Sequence, residues 1–150
     1  GCLVLAAGGS RRLGVRKQLL RIDGVPLVRR AVRGALATAP RLVVVVVGAA
    51  SAAVAASLAR ERAAGVVLVR NARWRGGLAG SLRIGLAGLR RLAPAGAALV
   101  TTVDQWAVDP RELVRLLAAS DRGRTPSAAA YAGTLGIPAV LPRSSWAALR

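Results

Sequence analysis

Six consecutive aliphatic residues, Leu42–Val47 (LVVVVV), constrain the fold of this chain more than any other stretch. All but the first are β-branched, and β-branched side chains favour extended backbone over helix. The run shows no polar alternation, so both faces of the strand must be covered by other elements. It is also too short to span a bilayer. A strand of this kind is typical of a parallel sheet with helices on both faces.

Strand-like and helix-like segments alternate along the rest of the chain. The predicted strands are 2–7, 42–47, 66–69, 97–103, 128–132 and 139–141, and the predicted helices are 26–38, 50–64, 81–91, one from Asp109 and one from near Ser144. A tight turn at Asp23-Gly24 joins two short extended segments, and 71–80 and 133–138 are predicted loops. Ser81 is the expected N-cap of its helix, and Asp109 with Glu112 has the spacing of a capping box.

This alternation predicts an α/β fold with a three-layer, Rossmann-like, mostly parallel sheet. Ligands of such sheets bind beyond the carboxyl ends of the strands, so the loops after residues 7, 48, 70 and 103 are the candidate site. No repeat or linker divides the sequence, and we expect one domain over 1–150. The chain contains no methionine, and its last predicted helix stops midway, so we expect truncation at both termini.

Charge and composition narrow the classes of function. The net charge is +17, which suggests an anionic partner. Lys17 is the single lysine, so arginine supplies the other 22 basic residues, and many of these fall on polar helix faces as a solvated shell would. Aromatic residues make up only 3%, which argues against nucleic-acid binding by base stacking. Histidine is absent and Cys2 is the only cysteine, so a Cys/His metal site and an internal disulfide are excluded, and we expect a cytoplasmic protein without membrane association.

The stretch LAAGGSRRLGVRKQLL, residues 5–20, is the strongest candidate for an anion site. Gly8 and Gly9 follow the first strand directly, where backbone N–H groups can form a concave nest. Ser10 adds a hydroxyl, and Arg12 and Lys17 add positive charge, which together suit a phosphate chain. The spacing fits neither the dinucleotide fingerprint nor the P-loop. The alternative is a glycine turn with surface arginines.

Elimination among the six acidic residues points to Asp104 as a metal ligand. The others are assigned to a turn, to helix ends or caps, and to a helix position between two arginines. Asp104 follows an apolar strand at its carboxyl end, where a magnesium carboxylate is expected. The alternative is another turn or cap aspartate.

Four stretches, taken together, resemble the molybdenum cofactor cytidylyltransferase-like nucleotidyltransferases. They are LAAGGSRRLG followed by KQLL, NARWRGGLAGSLRIGL (71–86), VDQWAVDPREL (103–113) and YAGTLGIPAVLPRSSW (131–146). Their order and spacing cover nearly the whole chain. The resemblance implies a fold of the nucleotide-diphospho-sugar transferase type. Trp106 and Ile137 depart from the family pattern, which usually has proline or a small residue and histidine at these two places, and the family's second metal carboxylate lies beyond the end of this chain.

The resemblance also implies roles by position. Residues that would line a nucleoside triphosphate with backbone groups are Ala6, Ala7, Gly8, Gly9 and Ser10. Arg12 and Lys17 would hold its phosphates and act in catalysis with Asp104, which would hold Mg²⁺. Asn71, Gly77 and Ser81 would lie near the nucleoside, and the loop 133–138 would face the acceptor. Trp74 and Trp106 border this cleft, where each could flank a base or a pterin or simply pack.

The implied activity is Mg²⁺-dependent transfer of CMP from CTP to the phosphate of a molybdopterin-type cofactor, with release of pyrophosphate. The absence of histidine is no handicap, because a phosphate oxygen is already nucleophilic and needs no strong base. Cytidine as the base is suggested by the Lys17-Gln18-Leu19 context. Three alternatives stay open: a nucleotidyltransferase for another acceptor such as a sugar phosphate, a nucleotide-binding relative without catalysis, and a basic nucleic-acid binder.

Overall fold

A computed structural model describes residues 1–10, 14–93 and 96–149 of the chain. The strands are β1 Cys2–Ala6, β2 Arg21–Ile22, β3 Val25–Pro26, β4 Val43–Val47, β5 Val66–Arg70, β6 Ala97–Thr102, β7 Ser127–Tyr131 and β8 Thr134–Pro142. The α-helices are α1 Leu27–Leu36, α2 Ser51–Ser57, α3 Leu78–Leu92 and α4 Pro110–Ala119. Short 3₁₀ helices span Lys17–Leu19, Glu61–Ala64, Trp74–Gly76 and Arg143–Leu149.

The predicted mostly parallel sheet is confirmed. Six strands lie in the order β5-β4-β1-β6-β8-β7, and β5, β4, β1 and β6 pair in parallel. β8 runs antiparallel to both β6 and β7. The β2–β3 hairpin stands apart from this sheet and turns at Asp23 and Gly24, whose φ angles of 51° and 75° are the left-handed values of a tight hairpin turn.

The valine run forms β4 at the centre of three layers. Val43, Val45 and Val47 face a cluster that includes residues of α1, α2 and α4, while Val44 and Val46 face a second cluster with α3 and the segment 143–149. All five residues of β4 are buried. Both faces are therefore covered, as the unbroken apolar run predicts.

Glycine brings α3 unusually close to the sheet. A Cβ built on Gly85 would lie 2.2 Å from Leu3 Cδ1 and 2.9 Å from Val46 Cγ2. A side chain at this position would require the side chains of Leu3 and Val46 to shift. This close approach places the start of α3 beside the carboxyl ends of β1 and β6.

The prediction of a loop over 133–138 is wrong. Only a two-residue turn at Ala132-Gly133 remains, and Thr134–Pro142 is one continuous strand. The register steps from Ala128 opposite Ala139 to Ala129 opposite Gly136, so Ile137 and Pro138 fall within an irregularity of the β7–β8 pairing. A bulge of this kind accommodates a proline that cannot donate a ladder hydrogen bond, which is why glycine and proline did not end the strand.

Two helices differ from their predicted bounds. The predicted helix 50–64 stops at Ser57, and Glu61 is turned inward to ion pairs with Arg29 (3.0 Å) and Arg33 (3.4 Å) of α1. α3 begins at Leu78 rather than Ser81, since the Ser81 hydroxyl is bonded elsewhere in the site.

The capping box at the start of α4 forms only in part. Asp109 Oδ1 accepts from the backbone N–H of Arg111 at 2.8 Å, as predicted for the N-cap. The Glu112 carboxylate pairs with Arg115 instead of the backbone N–H of Asp109. In the described part of the chain, no helix has both the length and the apolar character needed to cross a membrane.

Candidate active site

A cavity of about 860 Å³ opens at the carboxyl ends of β1 and β6. Its walls come from four segments that are distant in sequence: the loop after β1, the 3₁₀ turn at 17–19, the stretch that leads into α3, and the loop after β6. The lining residues are Leu5, Ala7, Gly8, Gly9, Ser10, Lys17, Gln18, Trp74, Arg75, Gly77, Leu78, Ser81, Thr102, Val103 and Asp104. We call this the β1–β6 cavity. It lies where the predicted topology places a ligand site.

Gln18 holds the glycine loop in shape. Its side chain is 2% exposed, and its Nε2 donates to the carbonyls of Ala6 at 3.0 Å and Gly8 at 2.5 Å. Ser10 Oγ accepts from the backbone N–H of Lys17 at 3.1 Å, which ties the far end of the loop to the same 3₁₀ turn. The sequence interpretation gave Gln18 no structural role. An amide side chain inside the apolar KQLL segment was the available signal, because a buried amide requires partners.

Lys17 and Asp104 meet at the edge of the β1–β6 cavity. Lys17 Nζ lies 3.1 Å from Asp104 Oδ2, and the two side chains are 35% and 49% exposed. Partial burial raises the pKa of Asp104. Hydrogen bonds from Thr102, from Lys17 and from its own backbone, with the Lys17 charge, outweigh burial and bring that pKa below its usual value. The carboxyl is therefore ionised at neutral pH beside a cation.

Gln105 fixes the turn that carries Asp104. Its Oε1 accepts from Thr101 Oγ1 at 3.1 Å and from the Thr102 backbone N–H at 3.3 Å. Its Nε2 donates to the Tyr131 hydroxyl at 3.3 Å and to the Ile137 carbonyl. The loop after β6 is thus bonded to β8 and β7, and the side chains on either side of Gln105 leave the turn in different directions. The sequence interpretation matched Gln105 to the family motif without giving it this role.

Asn71 and Ser81 support the wall that leads into α3. Asn71 is 1% exposed, and its side chain donates to Ser81 Oγ at 3.0 Å and accepts from the Arg73 backbone N–H at 2.9 Å. Ser81 Oγ also donates to the Gly77 carbonyl at 3.4 Å. Gly77 has a φ of 91°, which side-chain-bearing residues rarely adopt. Asn71 therefore lies behind the cavity wall and shapes it.

Trp74 closes one side of the glycine loop. A Cβ on Gly9 would lie 2.4 Å from the Trp74 ring, and one on Gly48 would lie 2.7 Å from Trp74 Cβ. The indole is half-buried against these glycines. The Arg75 guanidinium stacks over the ring at 4.5 Å from its centroid and also lines the cavity. Packing is thus the observed role of Trp74.

The structure brings most of the predicted site residues together. Those that line the β1–β6 cavity are Ala7, Gly8, Gly9, Ser10, Lys17, Gly77, Ser81 and Asp104. Ala6 is buried beneath it, with its carbonyl bonded to Gln18, and Asn71 is buried behind it. Arg12 lies outside the described residues. The stretch 133–138 reaches the site through strand β8 and Gln105 rather than as a loop.

The donor set suits a hard divalent cation that a ligand helps to bind. Mg²⁺ is commonly held by one or two carboxylates together with substrate phosphates and water. Asp104 supplies one ionised carboxylate at the cavity edge. Among residues 1–10, 14–93 and 96–149, no three His, Cys, Asp or Glu side chains form a cluster that could hold a metal. A metal at Asp104 would therefore need phosphate oxygens to complete its coordination.

Comparisons with known proteins show the family and fold of the chain. The family model described as MobA-like NTP transferase domain matches residues 2–150. Rv0371c from Mycobacterium tuberculosis H37Rv is similar in structure, with a TM-score of 0.82, 30% identity and coverage of 99% of this chain and 73% of that one. A nucleotidyl transferase from Methanothermobacter, Mth528, has a TM-score of 0.79, 28% identity and coverage of 98% and 73%. Rv0371c in complex with manganese has a TM-score of 0.75, 27% identity and coverage of 99% and 73%. No curated protein sequence matches.

Proposed function

The chain belongs to the family of MobA-like NTP transferase domains, and we propose on this premise that its β1–β6 cavity, named the nucleotide cavity from here on, transfers CMP from CTP to the phosphate of a ring-bearing acceptor, a pterin of the molybdenum cofactor type. Nucleotidyl transfer is the activity of the family. The base, the acceptor and the cation are the proposed parts.

One observation carries the proposal: a cation and a carboxylate face the same cavity as a glycine loop. Lys17 and Asp104 come from elements 87 positions apart in sequence, yet their charged atoms are 3.1 Å apart. Gly8 and Gly9 form the adjacent wall. A triphosphate with a divalent cation presents both charges to such a site. Its phosphates would replace Asp104 as the partner of Lys17, and its cation would replace Lys17 as the partner of Asp104.

The proposed reaction balances with these groups alone. An oxygen of the acceptor phosphate attacks the α-phosphorus of the triphosphate and forms a new P–O bond. The bond from the α-phosphorus to the bridging oxygen breaks, and its electron pair leaves with pyrophosphate. Lys17 would stabilise negative charge that develops on the phosphoryl oxygens, and Asp104 would be the residue that holds a cation. Such a cation supplies charge neutralisation when bound.

The cation, the base and the acceptor of the proposed reaction are supported by different observations. The manganese complex of Rv0371c supports a divalent cation, and magnesium is the proposed physiological ion. Cytidine is supported by the Lys17-Gln18-Leu19 context within the family resemblance. The pterin acceptor is supported by that resemblance over 131–146. A sugar phosphate is the competing acceptor.

A pyrophosphate-release assay tests the proposal. We expect release with CTP, Mg²⁺ and a pterin phosphate, and less release when GTP or ATP replaces CTP. Release with glucose 1-phosphate but not with the pterin phosphate would replace the acceptor and keep the activity. Triphosphate binding without release for any phosphorylated acceptor would contradict transfer and favour a non-catalytic relative. Lys17→Ala and Asp104→Asn should each lower kcat at least tenfold, whereas the matched surface variants Arg115→Ala and Asp121→Asn should not change it.

A further inference from the structure

Arg75 is a cation of the nucleotide cavity to which the sequence motifs assign no role. It lies between β5 and α3, one residue after Trp74, and it lines the cavity together with Lys17. These two are the basic residues, and Asp104 is the acidic residue, among the described residues of the lining. Lys17 is paired with Asp104 at 3.1 Å. The charge of Arg75 is therefore the one that the described lining leaves uncompensated.

The guanidinium of Arg75 has no acidic partner and no hydrogen bond among the residues whose positions the structure describes. Its contact is with the Trp74 ring, whose centroid lies 4.5 Å from Cζ. A cation over an indole is attracted by the ring, but this contact uses none of the N–H donors of the guanidinium in a bond to oxygen. The ring thus holds the cation in place and leaves its donors available to a ligand.

Trp74 is itself packed against the ends of two neighbouring strands. A Cβ added to Gly9 would lie 2.4 Å from its ring, and one added to Gly48 would lie 2.7 Å from its Cβ. Gly9 lies in the loop after β1, and Gly48 follows β4 directly. Arg75 is therefore carried on the β4 side of the glycine loop.

Lys17 and Asp104 lie on the other side of that loop. Asp104 follows β6, which pairs with β1 on the edge away from β4. Neighbouring strands are about 4.8 Å apart, so two spacings, about 10 Å, separate the ends of β4 and β6. The loop with Gly8 and Gly9 lies between them. A phosphate chain laid on the glycine loop would therefore have Lys17 at one side and Arg75 at the other.

Charge favours phosphate oxygens, rather than the base or the sugar, as the ligand of Arg75. The base and the sugar of a nucleotide are neutral at pH 7, whereas a triphosphate keeps a net negative charge even with one divalent cation bound. Lys17 offsets only part of that charge. A guanidinium can also donate two N–H groups to one phosphate at once, which an ammonium cannot do in the same planar geometry.

We propose that Arg75 is a second phosphate-binding cation of the nucleotide cavity, held in position by Trp74 and set across the glycine loop from Lys17. It binds phosphate oxygens that the Lys17–Asp104 side leaves exposed. This inference rests on the proposed function, because it adds a residue to the triphosphate site. It requires that a bare triphosphate chain depend on Arg75 as much as a nucleotide does.

Calorimetric titration of the full chain with CTP and with inorganic tripolyphosphate, both in Mg²⁺, tests this role. We expect Arg75→Gln to weaken binding of both ligands about tenfold or more, because hydrogen bonds to a charged group are lost. Arg75→Lys keeps the charge without the planar pair of donors, so its loss should be intermediate. Arg73→Gln is the matched control. It removes the same charge from an exposed arginine of the same segment that does not line the cavity, and both affinities should stay within about twofold.

The contribution of Trp74 is measured by a double-mutant cycle. If the ring holds the guanidinium, Trp74→Leu and Arg75→Gln together should weaken CTP binding by less than the product of their separate effects. Independent effects would overturn the anchoring by Trp74. Circular dichroism reports the folding of each variant, and Trp74→Phe replaces Trp74→Leu in the cycle if the latter does not fold.

The outcomes distinguish Arg75 from the reaction. Equal affinities of the wild type and Arg75→Gln would overturn the proposal, as would an equal loss in Arg73→Gln, which would indicate long-range charge alone. A loss for CTP without a loss for tripolyphosphate would also overturn it and place Arg75 at the base or the sugar. If the wild type releases pyrophosphate from CTP in any of these cases, the proposed transfer stands. Binding of both ligands that depends on Arg75, with no release for any acceptor, would support the phosphate contact and overturn the proposed function.

Discussion

At the scale of single residues, the site is shaped by polar side chains that bond to backbone. Gln18 joins the carbonyls on either side of Ala7, and Asn71 joins the strand end after β5 to the first turn of α3 through Ser81. Neither side chain carries charge, and both are almost fully buried. The charged pair Lys17–Asp104 is flanked by two such amides, because Gln18 follows Lys17 and Gln105 fixes the turn that carries Asp104.

Gln18 provides the first prediction. Gln18→Leu removes the donor for the carbonyls of Ala6 and Gly8, and an unsatisfied buried polar group costs about 1–3 kcal/mol. We expect a loss of this size in the free energy of unfolding, measured in urea, with weaker triphosphate binding. Gln18→Glu keeps the shape but places a carboxylate against carbonyl oxygens, so its loss should be at least as large. Unchanged stability of both variants would show that Gln18 does not hold the loop.

The pH dependence of stability tests the ionised state of Asp104. Partial burial raises its pKa, but the bonds from Thr102 and Lys17 outweigh that effect and leave the folded value below the ordinary one. Its stabilising contribution is therefore present above the ordinary aspartate pKa, near 3.9, and is lost as pH falls through the folded value. The difference in unfolding free energy between wild type and Asp104→Asn should favour the wild type at pH 7 and shrink toward pH 2 to 3. The difference is small, because the pair is substantially exposed. A difference that grows on acidification would contradict the assignment.

At the scale of elements, the approach of α3 to the sheet positions the second half of the cavity wall. Gly77 and Ser81 lie at the start of this helix, and Gly85 and Gly88 let its middle descend onto β1, β4 and β5. The helix has no side-chain N-cap bond. Tertiary packing, and not helix propensity, therefore sets where α3 lies.

Two glycine substitutions in α3 distinguish the effect of packing against the sheet from the effect of helix propensity on stability. Gly85→Ala would place a methyl group 2.2 Å from Leu3 Cδ1, and overpacking of this kind costs typically about 1–3 kcal/mol. Gly80→Ala, in the same helix with nothing within 4 Å of its Cβ, should raise stability by a few tenths to about 1 kcal/mol through helix propensity. Thermal unfolding of both variants gives the comparison. Equal effects of the same sign would mean that α3 does not depend on this contact.

Sequence reasoning succeeded where a single local pattern decides structure. Leu42–Val47 alone required a doubly covered strand, and the Asp23-Gly24 turn and the Asp109 cap follow from local chemistry. It failed where distant residues decide. Pro138 was interpreted as part of a loop because the β7–β8 irregularity that accommodates it depends on pairing. Likewise, Ser81 was expected to be the N-cap of α3, but the helix begins at Leu78. The Ser81 hydroxyl accepts a hydrogen bond from Asn71 instead, a contact that only the folded chain shows. The candidate site could be predicted because Gly8, Gly9 and Lys17 lie in one short stretch, but Gln18 and Gln105, which support it, act through bonds to other segments.

At the scale of the whole molecule, the chain carries a net charge of +17. The candidate site differs from this average, because there the Lys17 cation is paired with the Asp104 carboxylate. Arginines lie on several elements and on both faces of the sheet, as at Arg30, Arg90 and Arg115. This distribution differs from a single basic stripe that tracks a nucleic acid. Long-range attraction to any polyanion is nevertheless expected at low ionic strength.

The dependence of affinity on salt concentration should therefore distinguish binding of a nucleic acid from binding of a triphosphate. Association with a single-stranded oligonucleotide should weaken steeply as salt rises, with about a 10³-fold or larger loss between 50 and 200 mM if several phosphates are contacted. Triphosphate binding in the nucleotide cavity should fall much less, because it depends on short-range contacts. Fluorescence anisotropy across a KCl series measures both. Oligonucleotide binding that persists at high salt would favour a nucleic-acid function.

The most direct test is isothermal titration calorimetry of CTP, GTP and ATP, with and without Mg²⁺, on the wild type, Lys17→Ala and Asp104→Ala. We expect preferential binding of CTP that Mg²⁺ strengthens, weaker binding to Lys17→Ala, and loss of the Mg²⁺ effect in Asp104→Ala. Arg115→Ala and Asp121→Asn should behave as the wild type. Equally weak binding of all three nucleotides, unaffected by either substitution at the site, would contradict a nucleotide site in this cavity and leave the loop after β1 as a basic turn.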